Sequence, residues 1–592
     1  MGLWAPAVVL LALAAGRGPS DPWAAHAQGQ RAVAVPDGPV RVALHAPLDD
    51  VDPEAVPRPW PEIVSLSMVA AAAETERAAF VVYSGATVGT LDVQFGTLAT
   101  ATHELPPASV RVRAVKRVPM RRQFRGTATD TVGRFAPRFE PVAMKPGQLA
   151  EIWLEVDVPA GTPAGVYVGT VDVAVGRTRI SRKVRVRVRG LTLREDPSKQ
   201  LGMYYRMNRR LDDPARVRRE LADMRRHGIR NLVLDVRPRF GWGPGHVLAV
   251  DVQPIEQALA LVAEAGFSGS VVVDAGLVQL GRFLGHDDVA YVDADGASLD
   301  DDADFAPAVQ TVLEAIEQAA ATHPDLSLSV LHLDEVFERG RLALFERLAS
   351  VGRTPALPTY ATLSTAKPAY DGLRARIDPV LDLRSYHGYS FEWWLARGGT
   401  VADFAAELSR SGDRAWFYHN ERGTYFTGRW ARLVNGLYLW ATPFSSHVTW
   451  AYQAFDGNPL DDRDGVSHDF GMAFPDPRDP DVLMPTRIWT ALGEGHDDLR
   501  HLATLQWAIG AFRDDAPALA AEAQTYLDDL RADVLRVPGG IAVEQLPRTI
   551  GTPAEAPLLQ SLAARYDDAA LALVRARVEE YVVALRVASG SP

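Results

Sequence analysis

Residues 326–335 read LSLSVLHLDE, an apolar run that ends on two adjacent acids, Asp334 and Glu335. The run has the composition of a buried strand, and residues 337–350 follow it with the period of a helix. A strand, a short acidic loop and a helix form one unit of a parallel α/β sheet. Functional side chains of α/β barrels lie where a strand opens into such a loop. The pair is the only Asp-Glu step in the chain, and its surroundings decide between a site and an exposed helix start.

Seven more short apolar runs alternate with helical periods between residues 201 and 452. Including the run before Asp334, the predicted strands are 201–207, 231–236, 269–274, 326–333, 358–363, 380–386, 415–419 and 447–452. Helices are predicted between most of them, at 214–227, 255–265, 306–322, 337–350, 401–411 and 429–439. Eight strands that alternate with helices over about 250 residues predict a (β/α)8 TIM barrel. We place this barrel at residues 198–480.

The chain on either side of the predicted barrel has a different pattern. Before it, residues 152–158 (IWLEVDV) and 183–189 (KVRVRVR) alternate in the manner of half-buried strands, and Gly and Pro separate such runs. We therefore expect an antiparallel β-sandwich at residues 28–197. After the barrel, long amphipathic stretches such as residues 557–587 predict a helical region at 481–592. The fold class is thus α/β plus all-β, with a helical segment at the C-terminal end.

The first residues have the pattern of a secretion signal. Residues 4–15 (WAPAVVLLALAA) form an apolar stretch too short to span a bilayer, and Ala25, His26 and Ala27 offer a cleavage site. No Lys or Arg precedes the stretch, although signal peptides usually carry one there. We predict a signal peptide at residues 1–27 and an exported protein, periplasmic or extracellular. No later segment of the sequence predicts a membrane span.

Composition excludes several classes of site and partner. The net charge of −12 argues against nucleic acid as a partner, because nucleic-acid binding requires a basic surface. The absence of cysteine excludes thiolate nucleophiles and cysteine-bound zinc or iron–sulfur sites. The sequence has no glycine-rich dinucleotide fingerprint and no Gly-x-Ser-x-Gly elbow, and its histidines match no standard metal-ligand spacing. We therefore expect no cofactor and no metal.

The strand ends supply a set of polar and aromatic side chains. If the barrel forms, side chains at the carboxyl ends of its strands face one pocket. Besides Asp334 and Glu335, the predicted pocket residues are Tyr205, Arg206, Asp235, Asp274, Tyr386, His387, Tyr418, Asn420 and Trp450. Such a pocket suits sugars, because their C–H faces stack on aromatic rings and their hydroxyl groups bond to polar side chains. Asp235 and Asp274 could equally cap helices or hold loops.

Several local patterns, in their order along the chain, resemble glycoside hydrolase family 123 and its bacterial relatives. They are residues 73–82 (AETERAAFVV), 145–148 (KPGQ), 152–154 (IWL), 164–169 (AGVYVG), 333–335 (LDE) and 485–489 (PTRIW). The resemblance implies a β-sandwich, a barrel and a helical tail, and it places the catalytic acids of the family at Asp334 and Glu335. Relatives often have proline after the pair, where this chain has Val336.

The resemblance also implies an activity, the hydrolysis of a β-linked N-acetylgalactosaminide with retention of configuration. In this reaction the sugar's own 2-acetamido oxygen attacks the anomeric carbon, so no enzyme nucleophile is needed and two adjacent acids suffice. By this likeness Asp334 orients the acetamido group and stabilises the charge that grows on it. Glu335 protonates the leaving oxygen and then activates water.

Two other interpretations fit the same residues. In one, the protein hydrolyses another glycan with a separated acid pair, Glu335 with Asp235 or Asp274. In the other, it is a carbohydrate-binding protein that retains the barrel without catalysis, because fold alone does not fix function. The Asp-Glu pair favours an enzyme whose substrate is a glycan or glycoconjugate.

Overall fold

The computed structural model describes residues 39–51, 63–122, 126–289, 297–336, 341–352, 354, 356–363, 376–377, 379–396, 398–411, 414–420, 427–455, 457–465, 467–536 and 557–590. The predicted signal peptide at residues 1–27 lies outside this described part. Within the described part, no helix combines the length and the apolar character that crossing a membrane requires. A β-sandwich, a closed barrel and a group of helices follow one another along the chain.

The described residues of the sandwich form the strands β1 Arg41–His45, β2 Ser65–Ala72, β3 Thr75–Tyr83, β4 Gly89–Phe95, β5 Val110–Ala114, β6 Lys116–Arg121, β7 Thr129–Phe135, β8 Val142–Met144, β9 Leu149–Asp157, β10 Gly165–Val175 and β11 Thr178–Thr192. Two sheets, ordered β1-β3-β9-β5 and β2-β11-β10-β4-β8, pack face to face. The valines of residues 183–188 are buried between them and the basic residues in between are exposed, as the alternation predicts. One pair departs from the expected antiparallel order. Strands β2 and β11 are far apart in sequence, so no hairpin turn sets their direction, and they run parallel.

The central unit is a closed parallel barrel, which confirms the predicted fold. In barrel order its strands are β12 Gln200–Tyr205, β13 Ile229–Leu234, β16 Ser270–Asp274, β17 Ser327–Leu331, β18 Thr359–Leu363, β19 Leu383–His387, β20 Arg414–Asn420 and β21 Ser446–Trp450. A hairpin, β14 Arg239–Trp242 and β15 Leu248–Asp251, lies in the connection after β13. Inward-facing side chains, among them Val233, Val272 and Trp416, fill the barrel as a packed core.

Helices cover the barrel and continue beyond it. Those between the barrel strands are α1 Pro214–Arg226, α2 Gln253–Glu264, α3 Leu277–Phe283, α4 Phe305–Ala321, α5 Arg341–Val351, α6 Tyr389–Ala396, α7 Val401–Ser411 and α8 Gly428–Leu433, which continues through a π-helical turn, Val434–Tyr438, into α9 Leu439–Ala441. Two short hairpins follow, β22 Gln453–Ala454 with β23 Phe470–Gly471 and β24 Ala473–Asp476 with β25 Asp479–Pro485. The C-terminal helices are α10 Arg487–Phe512, α11 Pro517–Val534, α12 Pro557–Arg565 and α13 Asp568–Ala588.

Helix α10 is largely buried and packs against the barrel helices. The Thr486 hydroxyl accepts the N–H of Trp489 and so caps the first turn. The Trp489 indole N–H donates to Asp223 of α1 at 2.8 Å. Gly495 lets α10 approach α8 closely, because a Cβ at this position would lie 2.4 Å from the carbonyl oxygen of Arg432. The close packing of the two helices therefore accounts for the glycine at position 495.

One buried arginine ties the last helix, α13, to the sandwich. Arg575 donates from Nη1 to Glu74 Oε1 at 2.9 Å and from Nε to Asp498 Oδ1 at 2.6 Å. Arg432 of α8 pairs with the same Asp498 at 2.7 Å. All four side chains are buried. Removing one partner from such a group costs about 3–5 kcal/mol, because the opposite charge stays buried without compensation.

Candidate active site

The two acids Asp334 and Glu335 lie just after β17, at the carboxyl end of the barrel. The strand leaves the sheet at Leu331, two residues before its predicted end, and the acids belong to the loop that follows. The Val336 N–H donates to the carbonyl oxygen of Thr362 in β18 at 3.2 Å, and this bond fastens the loop to the neighbouring strand. The pair therefore occupies the face on which barrel enzymes carry their functional groups.

Thr362 holds the two acids relative to each other. Its hydroxyl donates to Asp334 Oδ1 and accepts the Glu335 N–H at 2.7 Å. Helix α5 adds a second support, since Arg341 donates to the Asp334 carbonyl oxygen at 2.9 Å. Glu335 has a φ of 51°, in the left-handed region that residues with side chains rarely adopt. Backbone strain of this kind persists only where the surroundings enforce it, and it clusters at functional sites.

Two further predicted acids, Asp235 and Asp274, lie at the ends of the neighbouring strands β13 and β16. Arg237 joins them, because its guanidinium is 2.8 Å from Asp235 Oδ1 and 3.5 Å from Asp274 Oδ2. Arg206, also predicted, lies 3.7 Å from Asp235 Oδ2. The Gly276 N–H donates to Asp274 Oδ1 at 2.8 Å. The structure thus brings three predicted residues into one ionic group beside β17.

Electrostatic interactions link this ionic group to the acid pair. Burial raises the pKa of Asp274, and the negative charges of Asp235 and Asp334 raise it further, although Arg237 and the Gly276 N–H oppose the shift. Asp274 therefore keeps its proton to a higher pH than an exposed aspartate does. Carboxyl groups whose environments differ in this way can divide the roles of acid and base. Within the described ranges, no three His, Asp or Glu side chains are grouped so that they could hold a metal ion.

Aromatic side chains of the barrel interior lie next to these acids. The hydroxyl oxygens of Tyr204 and Tyr360 are 2.8 Å apart. Burial raises the pKa of both tyrosines, and the negative charge of Asp334 adds to the shift. Both phenols therefore stay protonated and can donate hydrogen bonds. The ring of Trp450 meets the ring of Tyr204 edge-on at 5.2 Å, so the aromatic group extends across to the last barrel strand.

The alternation of side chains along each strand separates the remaining predicted residues. The His387 ring lies 5.1 Å from the ring of Tyr418, which belongs to the barrel interior. Tyr205 faces the other way and donates to Glu220 of α1 at 2.6 Å. Tyr386 packs against a phenylalanine of α7. The structure thus places these two tyrosines, predicted at the pocket, behind the barrel wall, because neighbours along a strand point to opposite faces.

Asn420 and Trp450 end the adjacent strands β20 and β21, with their Cα atoms paired across the sheet. The Asn420 side chain lies outside the described part of the structure. Trp450 is partly exposed and offers ring surface at the barrel mouth. Sequence reasoning missed two residues beside the acid pair, Tyr360 and Thr362. Both lie in the predicted strand 358–363, where alternation places them on one face, but no local pattern shows that this face meets the acid pair.

Comparison with known proteins identifies the fold. The sequence matches no family model and no curated protein. A solved structure of a family 123 glycoside hydrolase from Clostridium perfringens aligns with a TM-score of 0.66 at 10% identity, over 92% of this chain and 100% of the other. A GH39 β-xylosidase from Caulobacter crescentus aligns with a TM-score of 0.32 at 11% identity, over 51% and 72%. A β-glucuronidase from Bacteroides uniformis aligns with a TM-score of 0.27 at 8% identity, over 77% and 51%. The resemblance predicted from the sequence is confirmed at the level of the fold, since this chain has the fold of the C. perfringens family 123 glycoside hydrolase.

Proposed function

We propose that this protein is a glycoside hydrolase that cleaves a β-linked 2-acetamido sugar, of the N-acetylgalactosaminide type, and retains its anomeric configuration. The observation that carries the proposal is the acid pair, Asp334 and Glu335, which Thr362 holds together at the mouth of a barrel. A substrate that supplies its own nucleophile needs one proton donor and one group that stabilises charge. An adjacent pair of acids provides both.

The proposed reaction has two steps. In the first, the 2-acetamido carbonyl oxygen bonds to the anomeric carbon as the bond from that carbon to the leaving oxygen breaks. Glu335 gives its proton to the leaving oxygen, and Asp334 stabilises the positive charge that the acetamido group gains. In the second, Glu335 takes a proton from water as the water oxygen bonds to the anomeric carbon and the acetamido oxygen departs. Two inversions at one carbon give retention.

Other side chains of the mouth fit the binding of a sugar. Trp450 offers partly exposed ring surface, on which the C–H face of a sugar can stack. Arg206, Asp235 and Arg237 supply hydrogen-bond donors and acceptors for hydroxyl groups. The protonated phenol of Tyr204 adds a donor near Asp334. An apolar surface with a few converging polar groups is typical of a small-molecule site.

The raised pKa of Asp274 supports a second candidate function, a glycosidase that needs no acetamido group. In this alternative, Asp274 is the general acid and Glu335 is the nucleophile or base of a separated pair. The two functions differ in substrate. Only the first requires a nitrogen at the 2-position of the sugar.

Hydrolysis of matched aryl β-glycosides tests the proposal. We expect cleavage of the 2-acetamido sugars and no cleavage of the corresponding galactoside and glucoside. NMR of the first product should show the same anomeric configuration as the substrate. Equal rates with 2-hydroxy sugars, or inversion, would favour the Asp274 alternative. Sugar binding without hydrolysis of any glycoside would show a non-catalytic binding protein.

Two variants assign the roles of the acids. Glu335→Gln should lower kcat by about 10²–10⁴-fold with little change in substrate binding, because the amide keeps the shape but cannot donate a proton. Asp334→Asn should lower kcat because the amide cannot offset positive charge. The matched control is Asp325→Asn, which changes an exposed acid just before the other end of β17 and should leave both quantities unchanged. Unaltered turnover in Glu335→Gln would exclude Glu335 as the acid.

A further inference from the structure

A cavity of about 340 Å³ lies between the sandwich, the barrel and helix α10. Helix α1 ends and strand β13 begins at its wall, so the cavity is at the opposite end of the barrel from the acid pair. Its lining contains three arginines of the sandwich, three from the end of α1 and the start of β13, and one from α10, against four carboxylates. With its two histidines neutral, the lining carries an excess of positive charge.

The sandwich side of the cavity is already balanced. Arg77, Arg111 and Arg113 all contact Glu155, at distances of 2.9, 3.1 and 2.5 Å. Arg111 also pairs with Asp157, and Arg77 also pairs with a glutamate of α10. Each sandwich arginine therefore has a carboxylate partner, and the excess of positive charge lies on the barrel side.

The barrel side holds two arginines with little compensation. In the described part of the chain, the Arg225 guanidinium has no hydrogen-bond or ion-pair partner and lies 5.4 Å from the ring of Phe267. Burial lowers the pKa of Arg225, and the neighbouring positive charge of Arg230 lowers it further, although the negative charge of Glu195 opposes the shift. Arg230 is 3.4 Å from Glu195. The Glu195 carboxylate is half exposed, and it also pairs with His496 at 3.0 Å and with an arginine of α10. Arg230, His496 and the α10 arginine thus share this acid, which also attracts Arg225 at longer range, and the α10 arginine pairs in addition with Asp497 at 3.0 Å.

We propose that this cavity binds a tetrahedral oxyanion between Arg225 and Arg230, either a free phosphate or sulfate ion or the sulfate or phosphate ester of a sugar. Guanidinium groups present paired N–H donors that match such oxygens. The carboxyl end of α1 is the negative end of its dipole, so the arginine side chains must supply the attraction. A volume of about 340 Å³ leaves room for an ester-linked monosaccharide. The inference does not depend on the proposed hydrolase activity.

Isothermal titration calorimetry of the full-length protein tests the site, with inorganic phosphate, inorganic sulfate and galactose 6-sulfate at constant ionic strength in a chloride buffer. We expect saturable binding of at least one of them. Tighter binding of the sugar ester than of inorganic sulfate would identify a saccharide ligand, and the reverse would identify the free ion. No binding above chloride would overturn the proposal.

Two substitutions of arginines on helix α1 locate the site. Arg225→Gln should weaken binding by about tenfold or more, because a hydrogen bond to a charged group is lost. The matched control is Arg218→Gln on the same helix, where the arginine is exposed and pairs with Glu264 outside the cavity. This control should bind as the wild type does. If Arg225→Gln does not fold, Arg230→Gln gives the same test. Unchanged affinity in a folded variant of either cavity arginine would refute the assignment.

Discussion

Replacement of Thr362 by valine tests whether the acid pair works as a unit. Valine has nearly the same shape as threonine but lacks the hydroxyl. The substitution removes the hydrogen bond to Asp334 Oδ1 and the acceptor of the Glu335 N–H. That N–H keeps its 3.1 Å contact with Asp334 Oδ1. Asp334 then loses a donor that holds its carboxylate in place. In the proposed reaction this carboxylate stabilises the positive charge on the acetamido group.

The expected magnitude follows from the bond that is lost. A hydrogen bond to a charged group contributes about 1.5–3 kcal/mol, which corresponds to about a 10- to 150-fold loss of kcat/KM. The loss should fall mainly on kcat, because in the proposed reaction the charge on the acetamido group develops only in the transition state. Hydrolysis of an aryl N-acetyl-β-galactosaminide measures both constants, and Thr362→Ser is the control because it keeps the hydroxyl.

Two results would refute this reasoning. Thr362 is buried, so circular dichroism must first show that the valine variant is folded. A folded valine variant with the kcat/KM of the wild type would show that the hydroxyl does not position the acids. Equal losses in the serine and valine variants would assign the effect to packing of the methyl group.

Four further predictions concern stability and processing. Burial raises the pKa of Glu392 to about 8 from 4.5, so the unfolded state ionises first and the free energy of unfolding falls as pH rises between these values. Glu392→Gln should remove this pH dependence and raise the free energy of unfolding at pH 8, measured in urea, by roughly 4 kcal/mol. An unchanged pH dependence in the variant would contradict this prediction. Burial lowers the pKa of His332 to about 4, so stability should fall as pH drops from 6.5 toward 4, and His332→Asn should reduce that loss in the same assay. Gly495→Ala should lower the free energy of unfolding by about 1–3 kcal/mol, because the added methyl group would collide with the carbonyl oxygen of Arg432. Gly510→Ala on the same helix is the control and should not destabilise the protein in this way, because the space around Gly510 is open. We also propose export, and sequencing of the native N-terminus should show that roughly the first 15–30 residues are absent.

The sequence predicts the order of the three units and the closed barrel because periodicity is a local property. A strand has a period of two and a helix a period near 3.6, and each is visible within a single run of residues. Local periodicity does not predict the parallel pairing of β2 with β11, because this pairing joins segments separated by most of the sandwich. Local patterns fix which elements form, while long-range pairing depends on packing.

The candidate site was predicted only in part for a related reason. Alternation shows that neighbours such as Tyr386 and His387 face opposite ways, but it does not show which of them faces the pocket. That choice depends on the helix layer, where Tyr386 packs. Thr362 was missed because its role rests on a contact with Asp334, 28 positions away, which exists only once β17 and β18 are paired. The acid pair itself was visible because it is unique in the chain.

The buried Arg575 has a consequence for the order in which the protein is completed. Glu74 is synthesised 501 residues before the arginine that neutralises it. Until α13 leaves the ribosome, the sandwich carries a carboxylate whose burial lacks its main cation, and Asp498 lacks one of its two arginines. We expect released chains that end before residue 568 to be cleaved rapidly by protease, and released chains that extend through residue 588 to resist it. Equal resistance would show that the sandwich closes without the helix. Completion of this buried charge group thus waits for helix α13, which is translated long after the sandwich.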